Sequence, residues 1–245
     1  MDQNEKFQAE VANNIKGLMA DGDVQALSRI WMREITRHKY AYNFSWMGRP
    51  IIQFPQDMIA MQEIIWRVKP DLIIETGIAH GGSIIYYASL LELNGQEGYV
   101  LGIDVDIRAH NRAEIEKHPM SKRIHMIQGS SVADETVAQV AEHAQGKKRV
   151  LVVLDSNHTH EHVLGELNAY AKFVTKDSYA VVFDTLIEDM PDDLINDRPW
   201  GRGNNPKTAV MEFLKTTDRF VIDKEMESKI LITVAPDGFL QCVKD

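Results

Sequence analysis

The chain predicts an α/β fold around a central, mostly parallel sheet, and three observations carry that reading. Short apolar runs alternate with segments of helical spacing from residue 71 onward, the rhythm of strand–helix units that share one parallel sheet. The stretch 71–83, DLIIETGIAHGGS, sets the apolar run Leu72, Ile73, Ile74 before a loop carrying Gly77, Gly81 and Gly82. A helical pattern through Ile84, Ile85, Tyr87, Ala88 and Leu91 follows it. Strand, glycine loop and helix form the first unit of a nucleotide-binding sheet, because glycines admit a close ligand and a helix N-terminus offers free N–H groups. A tight turn without a ligand is the alternative. Finally, the runs 219–223 and 230–235 lie too close together for a crossover helix, so they are expected to pair antiparallel. The run 238–243 can extend that ladder past the Pro236-Asp237-Gly238 turn.

Composition fits one large globular unit. The chain has 245 residues, 44% hydrophobic and 26% charged, enough for a well-buried core. The net charge of −9 argues against a general nucleic-acid binder, which needs a basic face. No apolar run approaches the roughly 20 residues of a membrane helix, and the polar opening MDQNEKFQAE shows no secretory signal. A single cysteine, Cys242, can form no intramolecular disulfide, and the expected location is cytoplasmic.

Taken in order, residues 1–50 are expected to form an N-terminal helical and lid segment, and residues 51–245 the sheet domain. Phe7, Val11, Ile15 and Leu18 recur at helical spacing, Asp21-Gly22-Asp23 interrupts them, and Leu27, Ile30, Trp31 and Ile35 mark a second helix. The aromatic stretch Tyr40, Tyr42, Phe44, Trp46 reads as a lid or sheet-edge segment. A helix over 56–68 precedes the first sheet strand. Strands are then expected at 72–75, 99–104, 124–128, 149–155 and 179–184, with helices at 84–91, 108–117, 134–144 and 160–173. A polar loop over 185–206 and a helix over 207–215 lead to the antiparallel ending. Five parallel strands so closed, seven in all, follow the plan of a Rossmann-like class I methyltransferase. Dehydrogenases of the dinucleotide-binding type usually keep a sixth parallel strand.

Ligands of open α/β sheets bind outside the carboxyl ends of the strands, so the residues ending each strand are the candidates. The first strand ends in Glu75, Thr76 and Gly77, followed by His80, Gly81 and Ser83. The second ends in Asp104, placed to accept hydrogen bonds from ribose hydroxyls, with Asp106 nearby as a second candidate or a helix cap. Ser130 and Ser131 after the third strand either flank an adenine or make a simple turn. Asp155 and Asp184 end the fourth and fifth strands. Two carboxylates there suit Mg²⁺, a hard cation that favours oxygen ligands; loop caps are the alternative. His158 can take a hydroxyl proton near neutral pH, while Asp155 with His158, His160 and His162 also raises a transition-metal reading.

The motifs IIETGIAHGGS, GIDVDIRAHNR, GSS, LDSNHTHEHV, VVFDT and RPWGRGNNPKTAV occur in that order. Together they resemble the cephalosporin hydroxylase family, which covers cephem methoxylation enzymes and rhamnosyl-type O-methyltransferases, from about residue 49 to the end. The resemblance implies a class I fold binding S-adenosylmethionine, with Mg²⁺ at the active site. Similarity to catechol-type O-methyltransferases implies Asp155 and Asp184 with Thr185 as metal ligands and His158 as base. In the catechol type that base is lysine. In the cephem enzyme an acidic pair ends the fifth strand, whereas here Phe183 precedes Asp184, so Thr185, Glu188 or water is the third ligand. The expected activity is Mg²⁺-assisted methyl transfer to a hydroxyl of a small molecule or sugar, such as a polysaccharide or natural-product glycoside. Asp155 and His158 are the catalytic candidates. Glu75, Thr76, Gly77, His80, Gly81, Ser83, Asp104, Asp106, Ser130, Ser131 and Asp155 are the cofactor candidates. Trp200 and Arg202 are expected over the substrate, and the family implies a homo-oligomer. A metal-dependent hydroxylase, a nicotinamide-dependent oxidoreductase and a non-catalytic cofactor-binding scaffold are the competing readings.

Overall fold

The computed structural model describes residues 2–194 and 197–245; Ile195 and Asn196, within the expected 185–206 loop, lie outside them. Two N-terminal helices, α1 (Gln3–Ala20) and α2 (Gly22–Thr36), meet at Asp21, whose side chain caps α2 by accepting from Asp23 and Val24 N–H. A hairpin unforeseen from the sequence follows, β1 (Phe44–Trp46) and β2 (Arg49–Ile51), paired antiparallel. Its two-residue turn, Met47-Gly48, has both φ angles positive (45° and 84°), as the tightest hairpin turns require. Then come α3 (Pro55–Val68), β3 (Leu72–Thr76), α4 (Gly82–Leu93), β4 (Tyr99–Asp104), α5 (Ala109–Lys117), β5 (Ile124–Gln128), α6 (Asp134–Ala144), β6 (Val150–Leu154), α7 (His160–Tyr170) and β7 (Tyr179–Val182). The chain ends with α8 (Pro206–Phe213), β8 (Phe220–Ile222), α9 (Lys224–Ile230) and β9 (Phe239–Cys242).

The seven-stranded sheet runs β5-β4-β3-β6-β7-β9-β8, with β3 to β7 mutually parallel and β9 antiparallel to both its neighbours. Strand side chains alternate between two cores. Ile73, Leu151, Val153 and Val181 face α3 and α4, whereas Leu72, Ile74, Val152 and Val182 face the side of α7 and α8. The first ten residues of α4 are all buried, so this helix is apolar all round. The hairpin covers its outer side, and Trp46 Nε1 donates to Ser89 Oγ at 3.0 Å.

The expected strand over 230–235 is not formed. Its apolar residues look like a strand, but α9 ends there, at Leu231 with φ +61°. The backbone beyond it bonds outside the sheet: Val234 N–H donates to Asp57 Oδ2 at 3.0 Å, and Val234 carbonyl accepts from Leu186 N–H at 3.1 Å. The antiparallel partner of β8 is β9, and the hairpin expected between 219 and 235 is a wider connection containing α9.

Candidate active site

The glycine loop is pressed against the end of β6. Gly77 has φ +83°, and a Cβ placed on it would lie 2.0 Å from the Asp155 carbonyl oxygen, so no other residue fits without moving backbone. A Cβ on Gly82 would meet the Pro50 carbonyl oxygen at 2.1 Å, which seats the N-terminal hairpin directly on the start of α4. Arg49 strengthens that seat: its guanidinium donates to the His80 carbonyl at 3.1 and 2.7 Å and to Asn111 Oδ1 at 2.9 Å.

Asp104 ends β4 as expected and orders the same loop. Its Oδ2 accepts from Ile78 N–H at 3.0 Å and Ala79 N–H at 3.3 Å, and its Oδ1 from Asp106 N–H at 3.0 Å. A carboxylate has about four acceptor positions, so capacity for ribose hydroxyls remains. Asp106 is exposed, 3.9 Å from Arg108 Nε, and does not cap α5, whose N-cap is Arg108.

A cavity of about 580 Å³ opens above the ends of β3, β6 and β7; Asp104 does not line it. Gly77, His80, Ser83, Asp155, His158 and Asp184 line it from the sheet. The segment from Thr36 to Tyr42, Gln53, Phe54, Leu186, Met190, Arg198 and Trp200 close its sides. Thr36 to Tyr42 fall within the 1–50 segment expected as a helical and lid segment, whereas Gln53 and Phe54 carry no motif and are not among the candidate site residues of the sequence. Arg202 is exposed and outside the lining; Arg198 stands there instead, 5.5 Å over the Trp200 ring. Ser130 and Ser131 are outside it too. Ser131 Oγ lies 3.1 Å from His162 Nε2, in a side network with Ser156 and Glu166.

Asp155, His158 and Asp184 converge. One ligand atom from each lies within 4.8 Å of the other two, and His158 Nε2 is 3.2 Å from Asp184 Oδ2. Trp200 packs edge-on against the His158 ring, centroids 4.7 Å apart. Asp184 adopts left-handed backbone, φ +56°, a conformation aspartate tolerates better than most residues. Thr185 does not join the cluster; it is buried and its hydroxyl donates to the Pro236 carbonyl at 2.6 Å. Glu188 is also engaged, accepting from Gly203 N–H and Asn205 Nδ2. His160 and His162 start α7 and point elsewhere, His160 toward Thr208 and Glu212 of α8.

Acidic groups crowd together here. Burial pushes the Asp155 carboxyl well above the usual range, and Asp184, Glu75 and Glu166 push it further. Glu75, wholly buried, is raised by burial to about 8 against the pull of hydrogen bonds from Ser83 and Tyr87. Glu75 Oε1 and Thr76 Oγ1 are buried with no hydrogen-bond partner. Such a site is completed by a positive group.

A family model described as Rhamnosyl O-methyltransferase/CmcI matches residues 38–243. The rhamnosyl O-methyltransferase of Mycobacterium tuberculosis (strain H37Rv) is 29% identical over 217 residues, covering 83% of this chain and 82% of its own. That of Mycobacterium leprae is 29% identical over 213 residues, covering 83% and 87%. Among solved structures, CmcI with Mg and SAM superposes with a TM-score of 0.59 at 18% identity, over 83% of this chain and 78% of that one. The apo structure of CmcI gives 0.60 at the same identity and coverage. With a family match spanning nearly the whole sheet domain and the seven-stranded sheet in place, the chain belongs to the rhamnosyl O-methyltransferase/CmcI family.

Proposed function

We propose that this protein transfers a methyl group from S-adenosylmethionine to a hydroxyl of a sugar or small glycoside, assisted by Mg²⁺. The observation that carries the reading is the convergence of Asp155, His158 and Asp184 at the floor of the cavity into which the glycine loop faces. The rhamnose named in the relatives supports a deoxysugar hydroxyl as the acceptor.

The residues fit both groups. Gly77 holds the loop close to the end of β6 and lines the cavity, and Asp104 retains acceptor positions for a ribose. Asp155 and Asp184 supply two hard oxygen donors, and their mutual repulsion would be relieved by a divalent cation. Bound there, the cofactor supplies an electrophilic methyl group and the cation lowers the pKa of the acceptor hydroxyl.

The chain's own residues do the rest. His158 takes the acceptor proton as the oxygen attacks, and Asp184, 3.2 Å away, stabilises the imidazolium that results. Trp200 holds the His158 ring by a T-shaped contact and borders the cavity where the sugar would lie. Phe54, Leu186 and Met190 exclude water from one side of the cavity. A ligand role for His158 is the second reading, favoured by its ligand atom's distance to the two carboxylates.

Residues 1–50 act as a lid segment on the 51–245 domain, since Thr36 to Tyr42 border the cavity. Exposed Phe7, Leu27, Ile30 and Trp31 on α1 and α2 support a homo-oligomer. The lone cysteine supports a cytoplasmic setting; among the described residues no helix is long and apolar enough to cross a membrane.

His158→Ala tests the site. The base reading expects kcat to fall by about 10²–10⁴-fold and the acid limb of the pH profile to disappear, with metal affinity retained. The ligand reading expects metal affinity to fall with turnover. Full turnover by the wild-type protein in EDTA would refute the Mg²⁺ assignment.

A further inference from the structure

Gln53 stands just before α3 and is 2% exposed, yet its Oε1 has no hydrogen-bond partner. Its Nε2 donates to the Tyr87 hydroxyl at 3.1 Å. Nearby, Glu75 Oε2 accepts from Ser83 Oγ at 2.7 Å. The Gln53 nitrogen meets the Tyr87 hydroxyl, and the amide oxygen is the atom left over. Buried polar atoms are almost always paired, and one left unpaired on a cavity wall asks for a donor from the ligand.

The fold indicates which donor. Asp104 at the end of β4 marks the ribose, and Asp155 with Asp184 at the ends of β6 and β7 marks the reacting methyl. β3 lies between β4 and β6, so a cofactor held at both ends would carry its sulfur over Gly77. Its amino-acid end would then fall toward Ser83 and Gln53, which line the same cavity.

We propose that Gln53 is a cofactor-binding residue whose Oε1 accepts a hydrogen bond from the α-ammonium group of the cofactor's amino-acid end; this rests on the methyltransferase reading above.

The experiment is calorimetric titration of the full chain with S-adenosylhomocysteine and with its deaminated analogue, in which hydrogen replaces the amino group. Wild type and Gln53→Ala are compared, and Gln53→Leu, which keeps the bulk, is run beside them so that one poorly folding variant does not remove the test. Wild type is expected to prefer the amino-bearing ligand by about 10- to 100-fold, the effect of a hydrogen bond to a charged group. In the variants that preference is expected to collapse toward unity while the deaminated ligand binds as it does to wild type. An undiminished preference, or equal weakening of both ligands, overturns the proposal and makes Gln53 a packing residue. If wild type binds neither nucleoside, the cofactor reading itself falls and the role of Gln53 with it.

Discussion

Asp57 offers a sharp test of how this site is held. It lies in α3, fully buried, and accepts from both the Thr233 hydroxyl and Val234 N–H. The segment it anchors then supports the metal-side loop: Val234 carbonyl accepts from Leu186 N–H, and Pro236 carbonyl from the Thr185 hydroxyl. Burial raises the Asp57 carboxyl from 3.8 to about 7. The folded protein therefore keeps this proton while the unfolded chain releases it above about pH 4, so stability falls as pH rises from about 4 to 7 and then levels off. A displacement of that size corresponds to about 4 kcal/mol at most. Asp57→Asn removes the titration but sets an amide N–H₂ against a donor, a fixed cost of about 1–3 kcal/mol. The variant is expected to be less stable than wild type at pH 5, with the gap closing or reversing by pH 8. Urea unfolding of both proteins in EDTA, at intervals from pH 5 to 8, measures the difference, and titrations shared by the two cancel. A gap that stays constant with pH would refute the linkage.

Asp104→Ala is expected to weaken S-adenosylhomocysteine binding by about 10- to 100-fold in calorimetry, since the ribose partner and the anchor of Ile78 and Ala79 N–H are lost together. Unchanged affinity in a folded variant would remove Asp104 from the site. Gly77→Ala is expected to cost at least about 2–3 kcal/mol in denaturant unfolding, because the φ of +83° is strained for alanine and the new Cβ meets Asp155 backbone. A variant as stable as wild type would contradict the close approach.

Much of the sheet and its chemistry is legible in the sequence because strand runs and strand ends are local features. Runs such as Leu72 to Ile74 and Val150 to Leu154 are apolar on both faces, which only a sheet covered on two sides explains. Each acid that ends a strand is carried to the same sheet edge by parallel pairing, so Asp104, Asp155 and Asp184 are readable as a set. Contacts between distant segments are not readable in this way. The 230–235 run has strand composition, yet its backbone is claimed by the Asp57 side chain some 177 residues away. Thr185, Glu188 and Ser131 have the right chemistry for their expected roles, but the fold engages them with Pro236, with Asn205 and with His162. Gln53 and the cavity-lining stretch from Thr36 to Tyr42 carry no motif; their place follows from a hairpin seated where Gly82 lacks a Cβ. Periodicity and strand-end chemistry are properties of neighbouring residues, and the sequence alone determined them. Which polar side chains remain free for a ligand depends on what else packs against them, and only the tertiary structure decided that.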